Sequence, residues 1–287
     1  MFERAEPLVQ TETFPLHVLS FYWEDYTPHL EAYRRDRGDV VDMPLDHIRM
    51  AVSEERRCVG SYDQGRYAPC PSGRRMKAFA QCRDCMGGWA SVQRCVFEPQ
   101  CTGESCEHRD FCGRRHVVYL AFFGTLVKVG MTSMNRVRQR GIEQGADAIA
   151  PVFLCRDRQE ARALERETSK RFKIPQEIRI KRIAAQWTHP PSEELIRNLF
   201  TSYRGRLAGW REVMDEELVL LNGYPVQELP RSPPEAAPTP GIHAGEVLGV
   251  KGRFLIYRLP GGCGRLLDLS DLPSRSIRPL RSDSLQR

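Results

Sequence analysis

No run of apolar residues in this chain approaches the roughly eighteen that a membrane-spanning helix requires, so no membrane partner is expected. The opening residues, MFERAEPLVQTETF, carry no apolar signal core, and the expectation is a cytoplasmic protein. Missing too is any HExxH or comparable His/Glu set, which leaves no legible open catalytic zinc site. Nor is there an internal repeat, apart from the spacing of the cysteines. What remains is ordinary in composition: 41% hydrophobic and 28% charged residues over 287 positions, enough for a buried core and for two domains.

Charge is unevenly placed. The formal net charge is only +6, yet Arg114 to Arg182 holds sixteen Lys and Arg against seven Asp and Glu, leaving the rest of the chain net negative. A local basic block suits a polyanion surface, because neutralising phosphates releases counterions and drives binding. The competing reading is a solvated helix face, to which Asp157–Arg171 contributes.

Along the chain, five segments are expected. Residues 1–57 read as a β-rich region, with Phe14, Leu16, Val18, Leu19, Phe21, Tyr22 and Trp23 as strand material. Residues 58–115 form a cysteine-rich module. Residues 116–228 read as an α/β domain with a helical extension. There HVVYLAFF, a Gly124-Thr125 break and LVKVG signal a hairpin, Arg136–Gln144 reads as helix, and Ile149–Cys155 as strand. Asp157 with Glu160 predicts a capped helix that places Ala161, Leu164, Thr168 and Phe172 on one face. Ser192–Ser202 predicts another helix, and a further one is expected near Leu207–Leu221. The proline-rich residues 229–242 read as a linker, and 243–287 as a small β module and tail. The fold class is therefore α+β.

Eight of the ten cysteines crowd into one stretch: Cys58, Cys70, Cys82, Cys85, Cys95, Cys101, Cys106 and Cys112. Two tetrahedral thiolate sites need that number, and Cys82-Arg83-Asp84-Cys85 has the CxxC spacing that turns two sulfurs onto one ion. Zinc is the expected metal, two structural ions in all; iron–sulfur ligation uses the same residues, and a disulfide framework finds no support in an export signal. Pairing stays open, and either His108 or His116 can replace a thiolate. Cys155 and Cys263 read as ordinary buried residues.

The cysteines, then HVVYLAFFG, KVGMT and RGIEQGADA, resemble the microbial family called domain of unknown function 2797. That family in turn resembles a divergent branch of the GIY-YIG nucleases. The resemblance places Val118-Tyr119-Leu120 at GIY and Lys128-Val129-Gly130 at YIG. Arg140 falls at the superfamily's helical arginine, and Glu165 at its metal-binding glutamate. It implies phosphodiester cleavage, with Mg or Mn on Glu165, Tyr119 assisting proton transfer and Arg140 holding the phosphate. Lys128 replaces the second tyrosine, and no histidine follows Arg140 where many of these nucleases have one. Lys128, Gly130, Thr132, Arg136 and Arg140 are the expected nucleic-acid contacts, DNA or RNA. The alternatives are an inactive binding module, or a zinc-stabilised scaffold that docks a protein partner through its C-terminal β module.

Overall fold

A computed structural model describes residues 15–87, 95, 98, 99, 101 and 109–280. The chain opens with β1 (Leu16–Glu24), β2 (Thr27–Arg34), β3 (Asp39–Asp42) and β4 (Ile48–Val52). A small hairpin, β5 (Ser61–Asp63) and β6 (Arg66–Ala68), leads into the cysteine region. That region contains the short helices α1 (Arg83–Met86) and α2 (Arg109–Cys112). Next come β7 (His116–Phe123), β8 (Leu126–Ser133), α3 (Val137–Gln144), β9 (Ala148–Cys155), α4 (Arg158–Phe172), α5 (Ile180–Gln186) and α6 (Glu193–Ala208). The chain closes with β10 (Val219–Leu220), β11 (Glu235–Ala236), β12 (Gly241–Lys251), β13 (Phe254–Arg258), β14 (Gly264–Asp268) and β15 (Ser276–Pro279). This is an α+β protein. Among the described residues no helix is long and apolar enough to cross a membrane.

Two main sheets organise these elements. One has nine strands in the order β11-β14-β13-β12-β4-β15-β1-β2-β3, and the other has four in the order β10-β9-β7-β8. The first joins the two ends of the chain. Strand β4 lies between β12 and β15, with Val52 opposite both Gly241 and Ile277. The cysteine region and the four-stranded unit are thus inserted between strands of a single sheet.

The four-stranded sheet explains the unbroken apolar run HVVYLAFF. Successive side chains of a strand point to opposite faces, so a strand covered on both sides is apolar throughout. All eight residues of β7 are buried. Val118, Leu120 and Phe122 meet Ala161 and Leu164 of α4 and Ile196 and Phe200 of α6. Tyr119, Ala121 and Phe123 face the other way, into a core shared with α3 and with Trp23, Val250 and Leu255 of the nine-stranded sheet. One strand therefore ties both layers together.

Local signals account for the helix boundaries. Asp157 caps α4 by accepting from the Glu160 amide at 2.8 Å. Glu160 reaches back to the Arg156 amide at 2.8 Å, a reciprocal arrangement close to a capping box. Gly145 ends α3 in the left-handed region at φ 73°, as its place after Gln144 predicts. Ser192 caps α6 through the Leu195 amide.

Two expectations fail. No helix spans Leu207–Leu221: α6 ends at Ala208, and the chain beyond it runs along the edge of β9. The Met214 amide donates to Val152 and the Leu221 amide to Asp147, so sheet-edge pairing overrides the helical propensity of residues 211–218. Cys263 is exposed rather than buried, because it sits in the turn between β13 and β14, where its carbonyl accepts from Leu259.

Candidate functional sites

Four of the eight clustered cysteines come together. The sulfurs of Cys58, Cys70, Cys82 and Cys85 all lie within 4.8 Å of one another, and this is the one such group among the described residues. The Cys70 and Cys82 sulfurs are 4.0 Å apart. Four ligands at the usual zinc–sulfur distance of about 2.3 Å in a tetrahedron put sulfurs about 3.8 Å apart, so the set fits a single ion. Backbone amides support it: those of Gly60 and Cys82 donate to the Cys58 sulfur at 3.4 and 3.2 Å. Buried His17 lies 3.2 Å from the Cys58 carbonyl through Nε2 and ties that segment to β1.

The crowding shows in the acidities. Burial resists ionisation of Cys70, but the Ser72 hydroxyl and the Arg74 and Ser72 amides bring its thiol down to about 6. Burial and the neighbouring thiols push Cys85 far upward. Sulfurs this close cannot all ionise without a cation between them, and a bound metal removes the conflict.

The other four cysteines are less completely placed. Cys106 and His108 lie outside the described residues. Cys112 is buried, which raises its thiol, while the Arg158 guanidinium opposes that rise; Cys95 and Cys101 are close enough to act on it. Arg158 is itself buried, donates to the Cys95 carbonyl and lies 5.0 Å over the Phe111 ring. His116 is buried with Nδ1 2.8 Å from the Arg114 carbonyl, which leaves Nε2 as its remaining polar atom.

The second constellation lies on the face of the β7–β8 hairpin that meets α3 and the nine-stranded sheet. Tyr119 pairs with Gly130, and Ala121 with Lys128, so Lys128, Gly130 and Thr132 share the face from which Tyr119 projects. The tyrosine is 1% exposed, and its hydroxyl accepts from Gln144 Nε2 at 2.9 Å. Burial raises its pKa, and nearby Arg140 and Gln144 oppose the rise. Arg140 sits one turn before Gln144 on α3 and lies 3.3 Å from Glu143. Exposed Arg136 shares that carboxylate at 2.6 Å. Glu143 is thus the resident counter-ion of both arginines.

Lys128 is different. Among the described residues its ammonium has no hydrogen-bonding or ion-pairing acceptor. Burial and then the positive charge of Arg140 bring it down to about 8, against the opposing pull of Glu165 and Glu177.

Glu165 does not join the others on that face. It belongs to α4, whose Ala161 and Leu164 pack on the opposite side of the sheet, and lies close enough to act electrostatically on Lys128 and Tyr119. Its side chain is 8% exposed and bonded to Arg162 at 2.6 Å. Burial raises its pKa, and Arg162 opposes that rise. Arg162 also reaches Glu98 and Gln176.

Lys128 and Arg140 line a cleft of about 460 Å³, closed on its far side by the nine-stranded sheet. Its other charged members are Glu143, Glu177 and Arg253, and its apolar wall includes Phe21, Ile180, Ile183 and Phe254. Arg253 carries no motif in the sequence and is distant along the chain; only the sheet pairing brings it here. Gln144 and Arg162 were equally unmarked, although each stands one helical turn from a residue that was singled out.

Fold and sites together define an α+β protein with a four-cysteine group that could hold a metal and, separately, a cleft lined by Lys128, Arg140 and Arg253. The chain belongs to the family described as protein of unknown function (DUF2797), whose model matches residues 46–261. No curated protein and no solved structure matches it.

Proposed function

We propose that this chain is a zinc-containing nucleic-acid-binding protein whose phosphate contacts are Lys128, Thr132, Arg136 and Arg140, with Gly130 serving to seat the Tyr119 ring beneath them. One observation carries the reading: Lys128 and Arg140 enter the same cleft, and the Lys128 ammonium has no bonded acceptor among the described residues. A partly buried cation without a partner is costly, and an entering phosphate would satisfy it. The basic block from Arg114 to Arg182 supplies the surrounding field. Zinc at Cys58, Cys70, Cys82 and Cys85 fits the thiolate set and would hold the β5–β6 hairpin and α1 to the sheet. Cys95, Cys101, Cys106 and Cys112 are the ligands of a second ion in this reading, with buried Arg158 balancing its thiolate charge. The test is binding to labelled DNA and RNA across a salt series. Affinity should fall steeply with salt and weaken in Arg140→Ala. Salt-insensitive or absent binding refutes the reading.

A second reading, metal-dependent phosphodiester cleavage, draws on Glu165 as the buried carboxylate that acts on both Lys128 and Tyr119. A Mg or Mn ion held by Glu165 would supply Lewis-acid chemistry. Arg140 would hold the phosphate in its planar fork, and Lys128 would offset charge developing on the phosphoryl oxygens. Tyr119 would orient through its hydroxyl, which Gln144 already positions. Nicking of nucleic acid with Mn that Glu165→Ala abolishes would establish this activity. Nicking that survives the substitution belongs to a contaminant.

A further inference from the structure

The cleft has a second wall that the phosphate contacts do not use. Phe21 from β1 and Phe254 from β13 stand on the nine-stranded sheet, and Ile180 and Ile183 project from α5. At its charged end Lys128 is flanked by Arg140 and Arg253, both close enough to act on its ammonium. Arg253 is half-exposed, and its one ion pair among the described residues, with Asp268, is loose at 3.3 Å. Its guanidinium also lies 5.0 Å over the Phe254 ring, which holds it at the rim.

Carboxylates are present as well. Glu143 is committed to Arg136 and Arg140. Exposed Glu177 lines the cleft and has no ion-pair partner among the described residues. One end therefore offers cations that lack firm acceptors, the middle offers flat apolar surface, and one free carboxylate stands on the lining.

A phosphate alone would leave the apolar wall unused, and a duplex presents phosphates outside with its bases already stacked. A nucleotide out of its stack matches both ends, since a base gains from stacking on aromatic and apolar side chains. The volume of about 460 Å³ also lies in the range of small-ligand clefts, roughly 300–1,000 Å³. A carboxylate can accept only from hydrogen-bond donors, and cytosine presents an exocyclic amino group where thymine presents a carbonyl.

We infer that the cleft takes one unpaired nucleotide, with its phosphate between Lys128 and Arg253, its base against Phe21, Ile180 and Ile183, and Glu177 selecting bases that carry an amino group. This rests on the nucleic-acid reading above and adds to it a substrate form and a residue, Arg253, contributed by the terminal sheet. That sheet then decides between single strand and duplex, while the hairpin supplies general phosphate affinity.

The experiment uses the full chain and three fluorescent probes: a deoxycytidine homopolymer, a deoxythymidine homopolymer and a hairpin duplex. The cytidine strand should bind best. Arg253→Ala should weaken both single strands about tenfold while leaving the duplex within about twofold, and Arg253→Lys should recover part of the loss. Glu177→Gln should erase the preference for cytidine over thymidine. Arg253 is half-exposed, so its variants should keep the wild-type circular dichroism and melting temperature. Duplex binding that needs Arg140 but is indifferent to Arg253, with no single-strand preference, overturns this inference and leaves the nucleic-acid reading standing. Absence of binding to all three probes overturns both.

Discussion

Gly130 stands opposite Tyr119 in the β7–β8 ladder, and the space a side chain would need there is filled by the tyrosine ring and hydroxyl. The glycine is required by a neighbour, since its own φ is not in the left-handed region. Gly130→Ala should destabilise the fold by about 1–3 kcal/mol, the usual range for overpacking a filled core. Urea unfolding at neutral pH measures this. Tyr119→Ala removes both the ring and the hydroxyl, so the double variant should be less destabilised than the sum of the single changes. Strict additivity would mean that the two side chains do not share the space.

The first cysteine group makes a compositional prediction. Purified protein should contain zinc by elemental analysis, and Cys82→Ser should lose one equivalent and melt at a lower temperature. Cys263→Ser is the control, because that thiol is exposed in a turn far from the group. Chelation of the wild type should lower its melting temperature in the same direction. A metal-free protein with an unchanged melting curve would refute a structural ion.

These features were unequally legible in the sequence. The β7–β8 hairpin, the Asp157 cap and the buried face of α4 follow from patterns a few residues long, and local physics sets them. The nine-stranded sheet does not. Nothing near Ile48–Val52 indicates that its partners lie beyond residue 240, because pairing partners are fixed by the completed core rather than by propensity. The cleft suffers from the same problem. Tyr119, Lys128 and Arg140 stood out, but Arg253 enters only through the sheet. Eight cysteines suggested two groups of four, yet spacing left the partition open; the assembly of Cys58, Cys70, Cys82 and Cys85 settles one of them.

Lys128 should make stability depend on pH in the alkaline range. Its folded value of about 8 lies below the ordinary lysine value of 10.5, so the unfolded chain binds the proton more tightly. Stability contributed by this residue must then rise as pH goes from about 8 to about 10.5, and be flat outside that window. Lys128→Met removes the buried charge. It should stabilise the protein at pH 7 by up to about 3 kcal/mol, with the advantage shrinking to nothing by about pH 10.5. Unfolding free energies of both proteins from pH 7 to 10.5 test the sign. A constant difference across that range would show that methionine merely packs better. Saturating oligonucleotide should narrow the gap in the wild type's favour, because a bound phosphate keeps Lys128 protonated.

Arg162 and Glu165 separate the structural from the chemical demands on one carboxylate. Glu165 is almost fully buried and its pKa is raised by that burial, so the folded protein holds its proton more tightly than the unfolded chain. Stability from this group is therefore greatest in acid and is lost as pH rises from about 4.5 through the folded value. Arg162 answers the carboxylate at 2.6 Å. Arg162→Met strands the carboxylate and should cost about 3–5 kcal/mol at pH 7, less at pH 4.5, where protonation relieves it. Glu165→Gln leaves a neutral, hydrogen-bonding side chain beside a more exposed arginine and should cost far less at either pH. Folded Glu165→Gln that still binds oligonucleotide but does not nick it would assign the carboxylate to chemistry. If instead Glu165→Gln unfolds as readily as Arg162→Met, the pair is a structural clamp and the cleavage reading falls.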